Sequence, residues 1–311
     1  MFTASRAFRV YVERAREGKT ALWRTVAGVV LIGLIWLACS VAAAFPLFMP
    51  GSARDESFFN TPAGLALTLG SFGGIWLGVW AAVRLLQRRS LASILGASGR
   101  IARADFVRAL VATLATCVLS EVATFAVDPT LSRSAIGLGE WLLWLTPAAL
   151  LVFVQTSAEE VSFRGFFMQS LAARFRSPWI WALLPGLLFT LLHVMPQALP
   201  WMHASILISI AAFAAAATVL VIATGNLGAA MGAHLGLNLF GLLGVSHAGW
   251  LSGLALFEGQ PGEGPGWSPA QAVSLTLIGL AQMILLLVLL LHRRSPFCLG
   301  RDRETEPAAP G

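Results

Sequence analysis

Two adjacent carboxylates, Glu159 and Glu160, stand in an otherwise apolar stretch, and Arg164 follows them. Residues four apart share a helix face, so Glu160 can pair with Arg164, whereas Glu159 is rotated by about 100° and lacks that partner. Glu159 and His193 are each seventeen residues from Arg176, the expected turn of a helical hairpin, so we expect them at the same depth. A carboxylate and an imidazole at one depth can activate a water molecule.

A second polar pair, His234 and Asn238, also shares one helix face because its members are four residues apart. An imidazole and a carboxamide can both donate hydrogen bonds to a developing oxyanion. Another face of the same segment carries only small residues, which predicts close packing on a neighbouring helix. The small residues are Gly228, Gly232 and Gly236.

Each of these residues also has a structural interpretation. A lone histidine or asparagine in a membrane helix is often an interhelical contact worth about 1 kcal/mol, and Glu160 with Arg164 could be a buried structural pair. The functional interpretation rests on the convergence of two carboxylates, two imidazoles and an amide within residues 159–238. Glu121 has no assigned partner. Three further histidines are expected near span ends or in loops, without a role: His203, His247 and His292.

The elements that must position these residues are membrane helices. Of the 311 residues, 57% are apolar and 12% are charged, with a mean hydropathy of +0.76; soluble domains carry about 25% charged residues. The apolar runs do not alternate, so helices are favoured over barrel strands. We predict an all-α polytopic membrane protein, one integral-membrane domain over residues 1–311, with about eight transmembrane helices and an uncleaved first span. The predicted spans are 25–46, 62–83, 106–127, 139–162, 178–195, 202–223, 227–245 and 269–291.

The basic residues are distributed by side rather than along a binding face. The net charge is +6, but all 21 Lys and Arg residues except Arg54 and Arg133 fall in the N-terminal arm, two connections or the C-terminal tail. The positive-inside rule then places both termini in the cytoplasm of a bacterial-type cell (inner) membrane, with the lipid bilayer and not nucleic acid as partner. The tail 295–311 is predicted to be disordered.

Glu159 and His234 can share one site only if they lie at a similar depth in the membrane. If the hairpin turned at the membrane surface, Glu159 would lie about 25 Å deep, whereas His234 would lie about 12 Å deep. The two depths match only if the hairpin projects into the cytoplasm.

The cysteines, Cys39, Cys117 and Cys298, have no spacing typical of a metal site or a disulfide.

Three motifs occur in order: Glu159-Glu160-x-x-x-Arg164, Phe189-x-x-x-His193 and His234-x-x-x-Asn238. This pattern resembles the CPBP family, also called the Abi or CAAX-protease-like family, which includes the type II CAAX prenyl endopeptidase. The resemblance covers about residues 141–245, the expected catalytic core. It implies an intramembrane endopeptidase that acts on a peptide or protein substrate at the membrane.

The resemblance also implies a role for each motif residue. Glu159 would activate water with help from His193, Glu160 and Arg164 would support it, and His234 and Asn238 would stabilise the oxyanion. No cofactor is expected on this interpretation; a zinc ion held by Glu159, His193 and His234 is the alternative. Two other functions stay open, namely a non-catalytic immunity or anchoring protein of the same fold and a small transporter. The sequence leaves the oligomeric state open.

Overall fold

A computed structural model of the chain describes residues 5–45 and 56–300. Nine helical stretches make up most of these residues, and the prediction of an all-α polytopic membrane protein is confirmed. The helices are α1 Arg6–Arg16, α2 Leu22–Ala44, α3 Pro62–Leu86, α4 Arg103–Val127, α5 Leu138–Arg174, α6 Trp179–Leu191, α7 Pro200–Thr224, α8 Gly228–Gly244 and α9 Pro269–Leu291.

Six of the eight predicted spans are helices long and apolar enough to cross a membrane: α2, α3, α4, α5, α7 and α9. The other two, predicted at 178–195 and 227–245, are the shorter apolar helices α6 and α8. The predicted length was wrong for 178–195, because α6 ends at Leu191 and the chain turns there. At about 1.5 Å per residue, even the longer of the two, the 17-residue helix α8, reaches roughly 26 Å, which is less than a hydrocarbon core of about 30 Å.

Helix α5 is much longer than the predicted span 139–162. It runs for 37 residues and contains a π-helical stretch, Val161–Met168, directly after Glu160. A helix of this length reaches about 55 Å, which exceeds the hydrocarbon thickness. Helix α5 is therefore longer than the apolar layer is thick, and the expected projection of the α5–α6 hairpin into the cytoplasm stays a prediction.

Helix α1 was not predicted, because its segment reads as a basic arm. Ser5 caps it by accepting a hydrogen bond from the Phe8 amide, and the helix buries an apolar face that includes Phe8 and Tyr11. The Tyr11 hydroxyl lies 2.8 Å from the Ile94 carbonyl and 3.2 Å from the Arg164 carbonyl. Burial raises the pKa of this phenol above its ordinary value. Helix α1 thereby packs directly against the π-helical part of α5.

The arginine-rich connections meet at one end of the helices. The Lys19 amide donates to the Gln87 carbonyl at 2.7 Å, and Arg16 Nε donates to the Ala173 carbonyl at 3.2 Å. These contacts join the basic N-terminal segment to the α3–α4 connection and to the end of α5. The segments that are rich in basic residues are therefore also neighbours in the fold.

The opposite end carries a small sheet formed by β1 Ser132–Arg133, β2 Val245–Ser246 and β3 Phe257–Glu258. Its order is β1-β3-β2, with β1 antiparallel and β2 parallel to β3. Glu121, near the end of α4, finds a partner here: Nε2 of His247 lies 3.1 Å from its Oε1 and 3.2 Å from its Oε2. His247, for which no role was expected, thus ties the 246–268 loop to α4.

The glycine face of α8 packs against α4, as predicted. A Cβ added to Gly228 would lie 2.7 Å from the Ala102 carbonyl oxygen, and one added to Gly236 would lie 2.9 Å from Thr113. A Cβ on Gly232 would clash with the backbone at Phe106. Close approach of the two helices leaves the His234 face of α8 for other contacts.

The predicted disordered tail begins on the protein surface. Within residues 295–300, Phe297 and Leu299 pack against the core, and the Gly300 amide donates to Asp105 at 3.0 Å. Residues 301–311 lie outside the described residues.

Candidate active site

Helix α5 supplies both carboxylates of the site, and both are buried. Arg164 donates to Glu160 Oε1 at 2.8 Å, and the side chains are 2% and 0% exposed. Arg164 also donates to the Ala214 carbonyl at 3.1 Å and lies over the Phe189 ring at 4.8 Å. The predicted pair of Glu160 with Arg164 is therefore confirmed, and it lies wholly inside the protein.

His234, on α8, lies between the two glutamates. Its Nδ1 is 2.9 Å from Glu160 Oε1, and its Nε2 is 3.5 Å from Glu159 Oε2. Because Glu160 is an ionised partner of Arg164, it accepts the Nδ1 proton of His234. That bond fixes the ring orientation and leaves Nε2 beside Glu159.

His193 lies in the turn directly after α6 rather than inside a helix as predicted. Its Nδ1 lies 2.8 Å from the Phe189 carbonyl oxygen, a side-chain contact typical of a helix C-terminus. A carbonyl only accepts, so Nδ1 carries the proton and Nε2 of the neutral ring is unprotonated. His193 and Glu159 line the same cavity, although no hydrogen bond joins them within the described residues.

Asn238 reaches Glu159 through a residue that the sequence analysis missed. Gln155 Nε2 donates to Glu159 Oε1 at 2.8 Å, and Asn238 Nδ2 donates to Gln155 Oε1 at 2.8 Å. Gln155 lies one turn before Glu159 on the same face of α5. A polar amide four residues from a membrane carboxylate was the available signal for it.

The Phe189 ring lies among His193, His234 and Arg164. The ring centroid of Phe189 lies 4.8 Å from that of His193 and 6.0 Å from that of His234. Since its face also contacts the Arg164 guanidinium, Phe189 fills the space among all three side chains. The Phe-x-x-x-His motif therefore has a packing role as well as a polar one.

A cavity of about 800 Å³ borders these residues. Glu159, His193, Asn238 and Gln155 line its polar part. Most of the other lining side chains are apolar and come from α2, α3, α6 and the turn after α6, among them Ile32, Trp36, Phe72, Ile75, Leu188 and Leu192. Glu159 Oε2 is buried and accepts no hydrogen bond from the described residues. The site thus brings one carboxylate, one imidazole and two carboxamides together beside a large apolar space.

The zinc alternative names Glu159, His193 and His234 as ligands. Within residues 5–45 and 56–300, no group of three or more His, Cys, Asp or Glu side chains is arranged to hold a metal ion. His234 contacts a glutamate with each ring nitrogen, and His193 binds a backbone carbonyl through Nδ1. The described geometry instead joins Glu159 to polar side chains.

Comparison with known proteins agrees with the motifs. Residues 140–240 match the family described as type II CAAX prenyl endopeptidase Rce1-like. An uncharacterized protein of Bacillus subtilis (strain 168), YyaK, is 27% identical over 241 residues, which cover 73% of this chain and 79% of the relative. No solved structure matches the chain significantly. Residues 140–240 of the chain are therefore similar to the Rce1-like type II CAAX prenyl endopeptidase family, in agreement with the three motifs.

Proposed function

We propose that this protein is an intramembrane endopeptidase that hydrolyses peptide bonds of lipidated or membrane-associated peptides or proteins, as in CAAX-type processing. The match of residues 140–240 to an endopeptidase family supports a protease. The observation that carries the proposal is the position of Glu159, whose Oε1 is held by Gln155 and which lines one largely apolar cavity together with His193 and Asn238. A carboxylate held beside an imidazole and a carboxamide in one cavity is suited to take a proton from water.

The reaction begins with water beside Glu159. Glu159 removes a proton from that water, with His193 Nε2 as a second acceptor on the cavity wall, and the water oxygen bonds to the substrate carbonyl carbon. The tetrahedral intermediate then collapses, the C–N bond breaks, and the proton passes to the leaving amine. The overall change is hydrolysis of one amide bond by one water.

Negative charge develops on the substrate carbonyl oxygen, and α8 supplies donors for it. Asn238 uses one N–H on Gln155 and retains a second for the oxyanion. His234, the other predicted donor, is oriented by Glu160 through Nδ1 and has its Nε2 3.5 Å from Glu159 Oε2, and it is not among the residues that line the cavity. Such donors are effective in a site of low dielectric, where they are already in place before the reaction.

The shape of the cavity supports a membrane-associated substrate. Its apolar wall comes largely from α2 and α3, and apolar surface favours an acyl or isoprenoid chain or an apolar peptide segment over a charged soluble one. We further propose a cell (inner) membrane location with both termini cytoplasmic. The clustering of the arginine-rich connections at one end supports this orientation.

Cleavage of a panel of quenched lipidated peptides by the purified protein in nanodiscs tests the function. We expect cleavage by the wild type, and its loss in Glu159→Gln and in His193→Ala. Glu140→Gln is the matched control, because it makes the same change at an exposed residue in the first turn of α5. Cleavage that survives Glu159→Gln would contradict the assignment.

Further arms separate the alternatives. Activity that resists a chelator agrees with direct water activation, whereas loss on chelation followed by recovery with zinc would assign Glu159, His193 and His234 to a metal. A cellular phenotype that survives Glu159→Gln would favour the non-catalytic anchoring or immunity protein. Solute uptake by proteoliposomes without any cleavage would favour the transporter.

A further inference from the structure

Gln155 connects the two halves of the proposed site. Its carboxamide contacts Glu159 on its own helix and Asn238 on α8, each at 2.8 Å. The side chain is buried and lines the cavity. The NH₂ group of this amide therefore contacts the proposed base, and its carbonyl oxygen contacts the proposed oxyanion donor.

The direction of this chain of hydrogen bonds follows from Glu159. An ionised carboxylate only accepts, so Gln155 must present its NH₂ group to Glu159 Oε1. Its carbonyl oxygen then faces Asn238, which in turn must present its own NH₂ group. The ionised state of Glu159 thus sets the orientation of two amides, one of them on another helix.

This order leaves specific atoms for the reaction. Because Gln155 holds Glu159 Oε1, the orientation of the carboxylate is fixed when Glu159 takes a proton from water. Because Asn238 points its nitrogen toward Gln155, one N–H of that group remains for a substrate oxygen. Rotation of the Asn238 amide by 180° would present its carbonyl oxygen to Gln155 Oε1, and two acceptors would then face each other.

We propose that Gln155 is a positioning residue that holds the Glu159 carboxylate and the Asn238 carboxamide in their reactive orientations. This inference rests on the proposed endopeptidase function. Gln155 acts through its two neighbours and takes no part in bond making or breaking. Loss of the amide frees both side chains to rotate, so the rate of the chemical step falls while substrate affinity is retained.

Two substitutions separate the two halves of the role. Gln155→Met has similar length and removes both hydrogen bonds. Gln155→Glu keeps an acceptor for Asn238 but removes the donor to Glu159 and places a second negative charge beside it. Hydrogen bonds to charged groups correspond to rate changes of about 10- to 100-fold, so we expect kcat to fall by that factor in Gln155→Met and by more in Gln155→Glu.

The matched control is Gln282→Met on α9. Gln282 is another membrane amide with an interhelical contact, 3.3 Å from Cys117 Sγ, and it is not among the residues that line the cavity. We expect the kcat of Gln282→Met to stay within about 2-fold of the wild type, because this contact has only a structural role. Thermal unfolding of all variants shows whether Gln155→Met loses more stability than Gln282→Met.

The outcomes distinguish this inference from the function on which it rests. A selective fall in kcat, with KM within about 2-fold and a melting temperature similar to that of Gln282→Met, supports positioning. Wild-type kcat in Gln155→Met, with cleavage still abolished by Glu159→Gln, overturns the role of Gln155 and leaves the endopeptidase in place. Absence of cleavage by the wild type would overturn the proposed function and this inference with it.

Discussion

The buried pair of Arg164 with Glu160 gives the clearest test of how the site is held together. Removing Arg164 as Arg164→Met leaves the Glu160 carboxylate, 0% exposed, without its cation. The variant also loses the hydrogen bond to the Ala214 carbonyl and the contact with the Phe189 ring. An uncompensated buried charge of this kind costs about 3–5 kcal/mol, so we expect the free energy of unfolding to fall by that amount.

Neutralising the partner should recover part of this loss. In the double variant Arg164→Met/Glu160→Gln the buried charge is absent, and the carboxamide oxygen introduced by Glu160→Gln can still accept the proton of His234 Nδ1. We expect the double variant to be more stable than the sum of the two single changes by about 1–3 kcal/mol, the range for residues in direct contact. Reversible unfolding in mixed micelles, measured for the wild type and all three variants, gives this coupling energy.

A matched pair near the start of α4 serves as the control. Arg108 pairs with Asp105 at 3.2 Å, but its side chain is 42% exposed. Arg108→Met should therefore cost less than about 1 kcal/mol. Additive effects of Arg164→Met and Glu160→Gln would refute the reasoning, because they would mean that no buried charge is left uncompensated in the single variant.

The remaining predictions concern the outer loop and the α4–α8 contact. Burial alone would lower the pKa of His247, but its hydrogen bonds with Glu121 outweigh burial and raise that pKa. The protonated ring is thus favoured in the folded protein, so its stabilisation is complete below about pH 6.5 and is lost as the pH rises through the higher folded pKa. The melting temperature of the wild type should fall over that range more than that of Glu121→Gln, and equal slopes would contradict this. Gly232→Ala should cost about 1–3 kcal/mol by overpacking, as measured by unfolding, whereas Gly241→Ala on the same helix, where no described residue lies within 4 Å of an added Cβ, should be neutral or slightly stabilising.

Most of the span pattern could be predicted, because the bilayer allows few solutions. Backbone polar groups in lipid must be satisfied within helices, so long apolar runs identify spans directly. The prediction was weaker for α6 and α8, which are shorter than a bilayer and are supported by their neighbours. Helix α1 was missed because its exposed arginines mask the apolar face that it buries against the core.

The candidate residues could be identified for a related reason. Ionisable groups in apolar sequence are costly and therefore conspicuous, and spacing of four residues revealed the pairing of Glu160 with Arg164. Gln155 was overlooked because it is uncharged and its significance depends on Asn238, 83 residues away. His247 was overlooked because its partner, Glu121, lies 126 residues away.

The sequence by itself determined the class of protein, the position of the long spans and the polar residues that do not suit a lipid environment, because each of these follows from local composition or from the helical repeat. Only the tertiary structure decided which atoms meet. The position of His234 between Glu159 and Glu160 and the bridging amide of Gln155 both depend on how α5 and α8 approach each other. That approach is set by side-chain packing between distant segments, such as the glycine face of α8 on α4, and packing of this kind has no periodic signal in the chain.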